Sequence, residues 1–157
     1  MIASEVIKAQ GHPLVRATHR STIEITRDPQ LTPRGDCIIA VNADKGALHL
    51  SPHFKRVASC DSARIVVVLQ CGNAWDIVTA WGSSKLTFTD PNSIVIRRSA
   101  YIDGRTIAVK SDKAAAHISR ELVSFLKRAN TLVVHLIAYL PDEEKEHTRS
   151  CELQPRT

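Results

Sequence analysis

The stretch GHPLVRATHRSTIEIT and the loop LTPRGDC beyond it gather His12, His19, Arg20, Glu24, Arg34, Asp36 and Cys37 into one short region. These are the residue types of proton transfer and of anion or metal binding. His19 or His12 would serve as general base, Glu24 or Asp36 would orient it or act as the acid, and Arg34 would hold an oxyanion. That makes His19, Glu24 and Asp36 the catalytic candidates. Cys37 is a conceivable nucleophile, but it opens the apolar run CIIAV, where a buried inert thiol is the better expectation. His12, His19, Glu24 and Asp36 also make a chemically suitable set for a divalent metal, with no spacing motif behind them. No cofactor is indicated.

The cations suggest a different chemistry. Arg16, Arg20, Arg34 and Lys45 crowd the first half of the chain, and Lys113 stands in the second. Residues 1–140 carry 18 Lys or Arg against 11 Asp or Glu, a net of +7, while 141–157 carry 3 against 5, a net of −2. A basic body favours anionic partners. We therefore expect first a binding module for an anionic ligand, either a nucleic acid backbone or a phosphorylated small molecule, contacted by Arg16, Arg20, Arg34, Lys45 and Lys113. The 7 aromatic residues are too few to lead us to a base-stacking platform. A small enzyme, metal-dependent or not, is the alternative. A third reading is assembly, with exposed strand edges pairing with a second copy to give a homo-oligomer.

A chain of 157 residues is the size of one compact domain. Its longest apolar run, near Ile65 to Leu69, is too short to span a bilayer, so no membrane partner is expected. The start MIASEVIKAQ lacks the pattern of a signal peptide, and a cytoplasmic location is expected. Cys37, Cys60, Cys71 and Cys151 show neither C-x-x-C pairing nor zinc-type spacing.

The elements that must position these groups are written twice. Residues 39–69 align without gaps on 107–137, and nine of 31 positions are identical, including Asp44/Asp112, Lys45/Lys113, His49/His117, Ser51/Ser119 and Val66/Val134. Upstream, 4–27 aligns on 75–98 with Ala9/Ala80, Gly11/Gly82, Thr18/Thr89, Ile23/Ile94, Ile25/Ile96 and Arg27/Arg98 in common. The reading is a tandem duplication, with repeats at 4–71 and 75–140 sharing one core in a single compact domain of residues 1–140. Within each repeat we expect strands at EVIKA or DIVTA, LVRATH or KLTFTD, TIEIT or SIVIR, and CIIAV or TIAVK. A helix capped by Ser51 or Ser119 and a last apolar strand complete the unit. Two such units about a pseudo-twofold axis give a sheet-dominated α+β fold, either a barrel or a pair of packed sheets. Residues 141–157 are expected to form a charged tail.

The repeat also sorts the candidates. Asp44-Lys45 and Asp112-Lys113 occur in both copies, so we expect the fold to demand them, with the Asp capping a helical segment. In an anion-binding version, two helix N-termini and both lysines would meet near the pseudo-axis. His49 and His117, each between apolar neighbours, are expected to be hydrogen-bonded structural rings. Groups peculiar to the first copy are freer of that demand. Thr22, Glu24 and Thr26 share one strand face, with Arg16 and Thr18 beside them if the preceding segment is a strand.

The phrases GHPLVRATHRSTIEIT, LTPRGDCIIAV, ADKGA and SDKAA resemble a family of archaeal proteins classed as a domain of unknown function. The resemblance covers roughly residues 8 to 138. It implies an archaeal cytoplasmic source and brings no activity with it.

Overall fold

The computed structural model describes residues 1–32 and 34–141. The expected tail therefore lies, from residue 142 onward, outside the described residues. The first half runs through β1 (Ile2–Gln10), β2 (Thr22–Thr26), β3 (Ile38–Ala40), a single helical turn, α1 (Pro52–Ala58) and β4 (Arg64–Cys71). The second runs through β5 (Ala74–Trp81), β6 (Ser93–Arg97), β7 (Thr106–Ala108), a single helical turn, α2 (Arg120–Lys127) and β8 (Thr131–Tyr139). Element order is the same in both.

Two four-stranded sheets form, in the orders β1-β8-β4-β5 and β3-β2-β6-β7. Each order reads the same when the halves are exchanged. Between the sheets lies one apolar core in which Ile7, Ile23, Ile25, Phe54, Ile65, Ile94, Ile96 and Ile107 are fully buried. Of the two expected arrangements it is the packed sheets that occur. A single bridge at each end, Gln10 to Val41 and Trp81 to Val109, links the sheets, but no continuous ladder closes them into a barrel.

LVRATH and KLTFTD are not strands. Their alternation was legible for a real reason, since Val15, Ala17, Leu86 and Phe88 are buried in turn. However, Ala17 and Phe88 take left-handed backbone angles, φ 50° and 51°, which break an extended run. Their neighbours hydrogen-bond to loops instead: Thr18 and His19 donate to the Asp36 carbonyl at 3.0 and 3.2 Å, and Thr89 and Asp90 to that of Gly104 at 3.1 and 3.0 Å. Each half therefore has three strands before its helix.

The helix starts follow the sequence. Ser51 Oγ accepts from Phe54 N–H at 3.1 Å with Pro52 behind it, and Ser119 Oγ accepts from Leu122 N–H at 3.3 Å. The last strands correct the alignment by one residue. Val66 points outward in β4 while Val134 is buried in β8, and the ladders instead set Val66 in the role of Val133. Counted from the cap to the first residue of the strand, Ser119 to Thr131 is one position shorter than Ser51 to Arg64.

Gly11 and Gly82, where β1 and β5 end, are sites of close approach. A Cβ would sit 2.0 Å from the Leu126 carbonyl oxygen of α2 at Gly11, and 2.2 Å from that of Ala58 of α1 at Gly82. Each half thus leans its strand exit on the other half's helix.

Candidate functional site

The polar residues of β2 and β6 sit on the side of their sheet away from the core, under the loops that follow. Glu24 is half-buried there. It accepts from Ser93 Oγ at 3.0 Å and from the Cys37 thiol at 3.6 Å, and it pairs with Arg105 Nη1 at 3.6 Å. Beside it Asp103 accepts from Arg97 Nη2 at 3.0 Å, from Arg105 Nη2 at 2.9 Å and from Thr106 Oγ1 at 3.1 Å. Burial pushes the Asp103 carboxyl up, but the bonds and charge of Arg105, with Arg97 behind, outweigh it and bring the pKa down to about 2. Two arginines and two carboxylates satisfy one another. This is a closed network that fastens loops to the sheet.

Cys37 belongs to it as a passive member. Burial, then the nearby Glu24 charge and hydrogen bond, push the thiol up to about 12. A thiol held so firmly protonated is a poor nucleophile. The two histidines are engaged in local turns: His12 Nδ1 accepts from Leu14 N–H at 3.0 Å, and His19 Nδ1 from Ser21 N–H at 3.2 Å. In those roles the neutral rings carry their proton on Nε2. The structure brings Glu24 to Cys37 and the His19 backbone to Asp36, but it does not gather His12, His19, Glu24 and Asp36 into a ligand set. No group of three or more His, Cys, Asp or Glu suited to a metal occurs among the described residues.

The repeated Asp-Lys phrase has a structural role in each half, and not the expected one. Asp44 Oδ1 accepts from Lys8 N–H at 3.1 Å while its own N–H donates to the Lys8 carbonyl at 2.9 Å. Asp112 does the same with Thr79, both bonds at 2.9 Å. The aspartates therefore finish the edges of β1 and β5 rather than cap a helix. Lys45 pairs with Glu5 at 3.2 Å and Lys113 with Asp76 at 2.6 Å, and each donates to a strand carbonyl, Val6 or Ile77, at 2.9 Å. Glu5 and Asp76 in turn accept the N–H of Ser51 and of Ser119. The two lysines lie against β1 and β5, the opposite edges of one sheet, and those strands are three strand spacings, about 14 Å, apart. They do not meet at the pseudo-axis. His49 and His117 are structural as expected, accepting from the N–H of Gly46 and Ala114 at 2.9 and 3.0 Å. Arg16, Arg20 and Arg34 are exposed on the loops near Asp36.

A second group forms where β5 leaves its sheet. A cleft of about 650 Å³ is lined by Trp81, Gly82, Ser83, Ser84, Lys85, Asp61, Ala100, Ile102, Val109 and Lys110. A smaller groove of about 340 Å³, which also borders Trp81, adds Arg64, Thr79, Asp112 and Tyr139. The Arg64 guanidinium lies 3.2 Å from the centre of the Trp81 ring. Asp61 is held by Ser84, accepting from its N–H at 2.7 Å and from its hydroxyl at 3.3 Å. Lys85 and Lys110 are exposed, and neither ammonium has a hydrogen bond or ion pair among the described residues.

The family model for "Domain of unknown function (DUF371)" matches residues 7–139. The chain belongs to this family. It is 38% identical over 132 residues to "Uncharacterized protein MJ0206" of Methanocaldococcus jannaschii, an alignment covering 84% of this chain and 97% of that one. The archaeal resemblance read from the short phrases is thereby upheld, and neither description names an activity. Among the described residues no helix is long and apolar enough to cross a membrane.

The sequence reading of this DUF371 member overlooked Trp81, Lys85 and Lys110. Polar groups peculiar to the first half drew the attention there, although the second half has its own. In the alignment of the halves Trp81 faces Gln10, Lys85 faces Leu14 and Lys110 faces Asn42.

Proposed function

We propose that this protein is a binding module for an anionic ligand that carries an aromatic ring, a nucleotide or a short stretch of single-stranded nucleic acid, and that the ligand sits in the cleft at Trp81. The observation that carries the reading is the combination there of an arginine-stacked indole with the ammonium groups of Lys85 and Lys110, which have no partner among the described residues. A ring of this kind offers a stacking face, and the cations offer partners for phosphate. The volume falls in the range of small-molecule sites. Asp61 on the rim favours a ligand with a donor as well as a phosphate. The enzyme reading of the first-half cluster draws less support, because Glu24 is committed to Arg105 and Ser93 and the Cys37 thiol is held protonated.

The test is binding of a mononucleotide panel and short oligonucleotides at several salt concentrations. Lys85→Glu with Lys110→Glu should abolish salt-sensitive binding, and Trp81→Ala should weaken it by roughly 1 to 3 kcal/mol. If instead Arg20→Glu with Arg34→Glu removes binding and the cleft variants do not, the ligand lies on the first-half loops and the proposed seat is wrong.

We further read the two halves as a tandem duplication. The matching element order supports it, as do paired left-handed residues at Ala17 and Phe88 and at Asn42 and Lys110.

A further inference from the structure

We infer that the outer face of the sheet β1-β8-β4-β5 is an interface with a second copy of this chain. The helices pack against the opposite side, which faces the core. On the outer side Ile2 is 66% exposed, Trp75 62%, Val6 40%, Ile77 37% and Tyr139 36%. The ladder registers set Ile2 in a row with Tyr139, Arg64 and Trp81, and Trp75 in a row with Gln70, Val133 and Lys8; the two rows between are the most apolar. Val6 stands beside His135, Val68 and Ile77 across the four strands, and Ser4 beside Ile137, Val66 and Thr79. Neither row contains a carboxylate. A contiguous apolar surface of this kind is uncommon on a monomer.

Its size suits a dimer. Four strands spaced about 4.8 Å, each of about eight residues rising about 3.3 Å, give a footprint of about 500 Å². Two such faces brought together cover about 1,000 Å², where specific interfaces begin.

The edges of the same sheet explain why contact is made through the face and not by adding strands. Edge groups of β1 already bond to Val41, Asp44 and Lys45, and those of β5 to Val109, Asp112 and Lys113. Edge pairing is thereby blocked in both directions. This turns the assembly expected from the sequence away from strand edges. Trp81 ends β5 in the same outer row as Ile2, Tyr139 and Arg64, so the cleft at Trp81 opens at the border of this interface, toward the loops at 82–85 and 100–102.

The experiment is sedimentation equilibrium of the full chain over a wide concentration range, with Val6→Lys and Ile77→Lys compared with the unaltered protein. Both positions are exposed, so circular dichroism and melting of the dissociated chains should stay close to the parent. The expected result is a dimer whose dissociation constant rises roughly thirtyfold or more with each substitution. As a check that needs no variant, dilution should shift tryptophan emission to the red as Trp75 returns to water. A monomer at every concentration would overturn the inference, with another partner or the chain's own C-terminal segment as the cover. So would a dimer that ignores both substitutions.

Discussion

Where β1 and β5 leave their sheet, the same groove occurs twice, at about 380 and about 340 Å³. At the end of β1 it is lined by Gln10, Asn42 and Thr131, and the Asn42 amide donates to Gln10 Oε1 at 3.1 Å. At the end of β5 the corresponding places hold Trp81, Lys110 and Arg64. The backbone is matched down to the left-handed residues Asn42 and Lys110, φ 53° in each. What the halves share at these exits serves folding: the glycine, the bridge between sheets, the aspartate on the strand edge. Of what they do not share, the first side has one cation, Lys8, while the second has an aromatic ring, Trp81, with Arg64 and Lys110. That difference, and not any motif, is what directs attention to Trp81.

The comparison can be broken or sharpened by paired substitutions. The largest effect is expected at the shared glycines, where Gly11→Ala and Gly82→Ala each drive a methyl group into a backbone carbonyl of the opposite helix. Each should cost about 3 kcal/mol or more in denaturant melts, and a large inequality between them would mean that the halves are not mechanically equivalent. Next come Glu5→Gln and Asp76→Asn, which remove the half-buried partner of Lys45 or Lys113. A loss of about 2 kcal/mol is expected in each half.

Asp103 breaks the match, since Gly35 occupies its place in the first half. Its carboxyl titrates at about 2 when folded, against the usual 3.8. A lowered folded pKa means the stabilisation is complete above the ordinary value and disappears as the pH falls from about 4 toward 2. Up to about 2 kcal/mol should be lost over that window, and Asp103→Asn should flatten the acid limb of the stability curve. An unchanged acid limb would show that Arg97 and Arg105 do not hold this carboxylate in solution.

A smaller effect is chemical. Cys37 in the folded protein should resist alkylation at pH 8, as followed by peptide mass mapping, and Glu24→Gln should raise its rate only modestly, because burial contributes more than the carboxylate. The smallest effect on stability belongs to Lys85→Glu and Lys110→Glu, which should leave melting within about 0.5 kcal/mol of the parent while removing anion binding.

The pattern of element types was readable because it rests on local signals. Alternation in TIEIT and SIVIR, the caps at Ser51 and Ser119, and the apolar runs of β4 and β8 each act over a few residues. LVRATH failed because burial alternates through it while a single left-handed Ala17 cancels the ladder, and no local rule places an alanine in that conformation. The candidate site was legible only in part. Glu24 and Cys37 are hydrogen-bonded to one another, but Arg105, the partner of Glu24, is 81 positions from it, and without that arginine Glu24 looks available for chemistry when it is in fact satisfied. Trp81 was visible by type, but its stacking on Arg64 depends on the antiparallel register of β4 and β5.

The ladder between β1 and β8 joins Ile2 to Tyr139 and Gln10 to Thr131. The earliest strand of the fold is therefore completed by the latest, and during synthesis β1 has no strand partner within its sheet until nearly the whole described chain has emerged. Its apolar Ile7 must be shielded provisionally for that interval. Pairing across so long a separation carries a loop-closure cost, from which slow folding is expected.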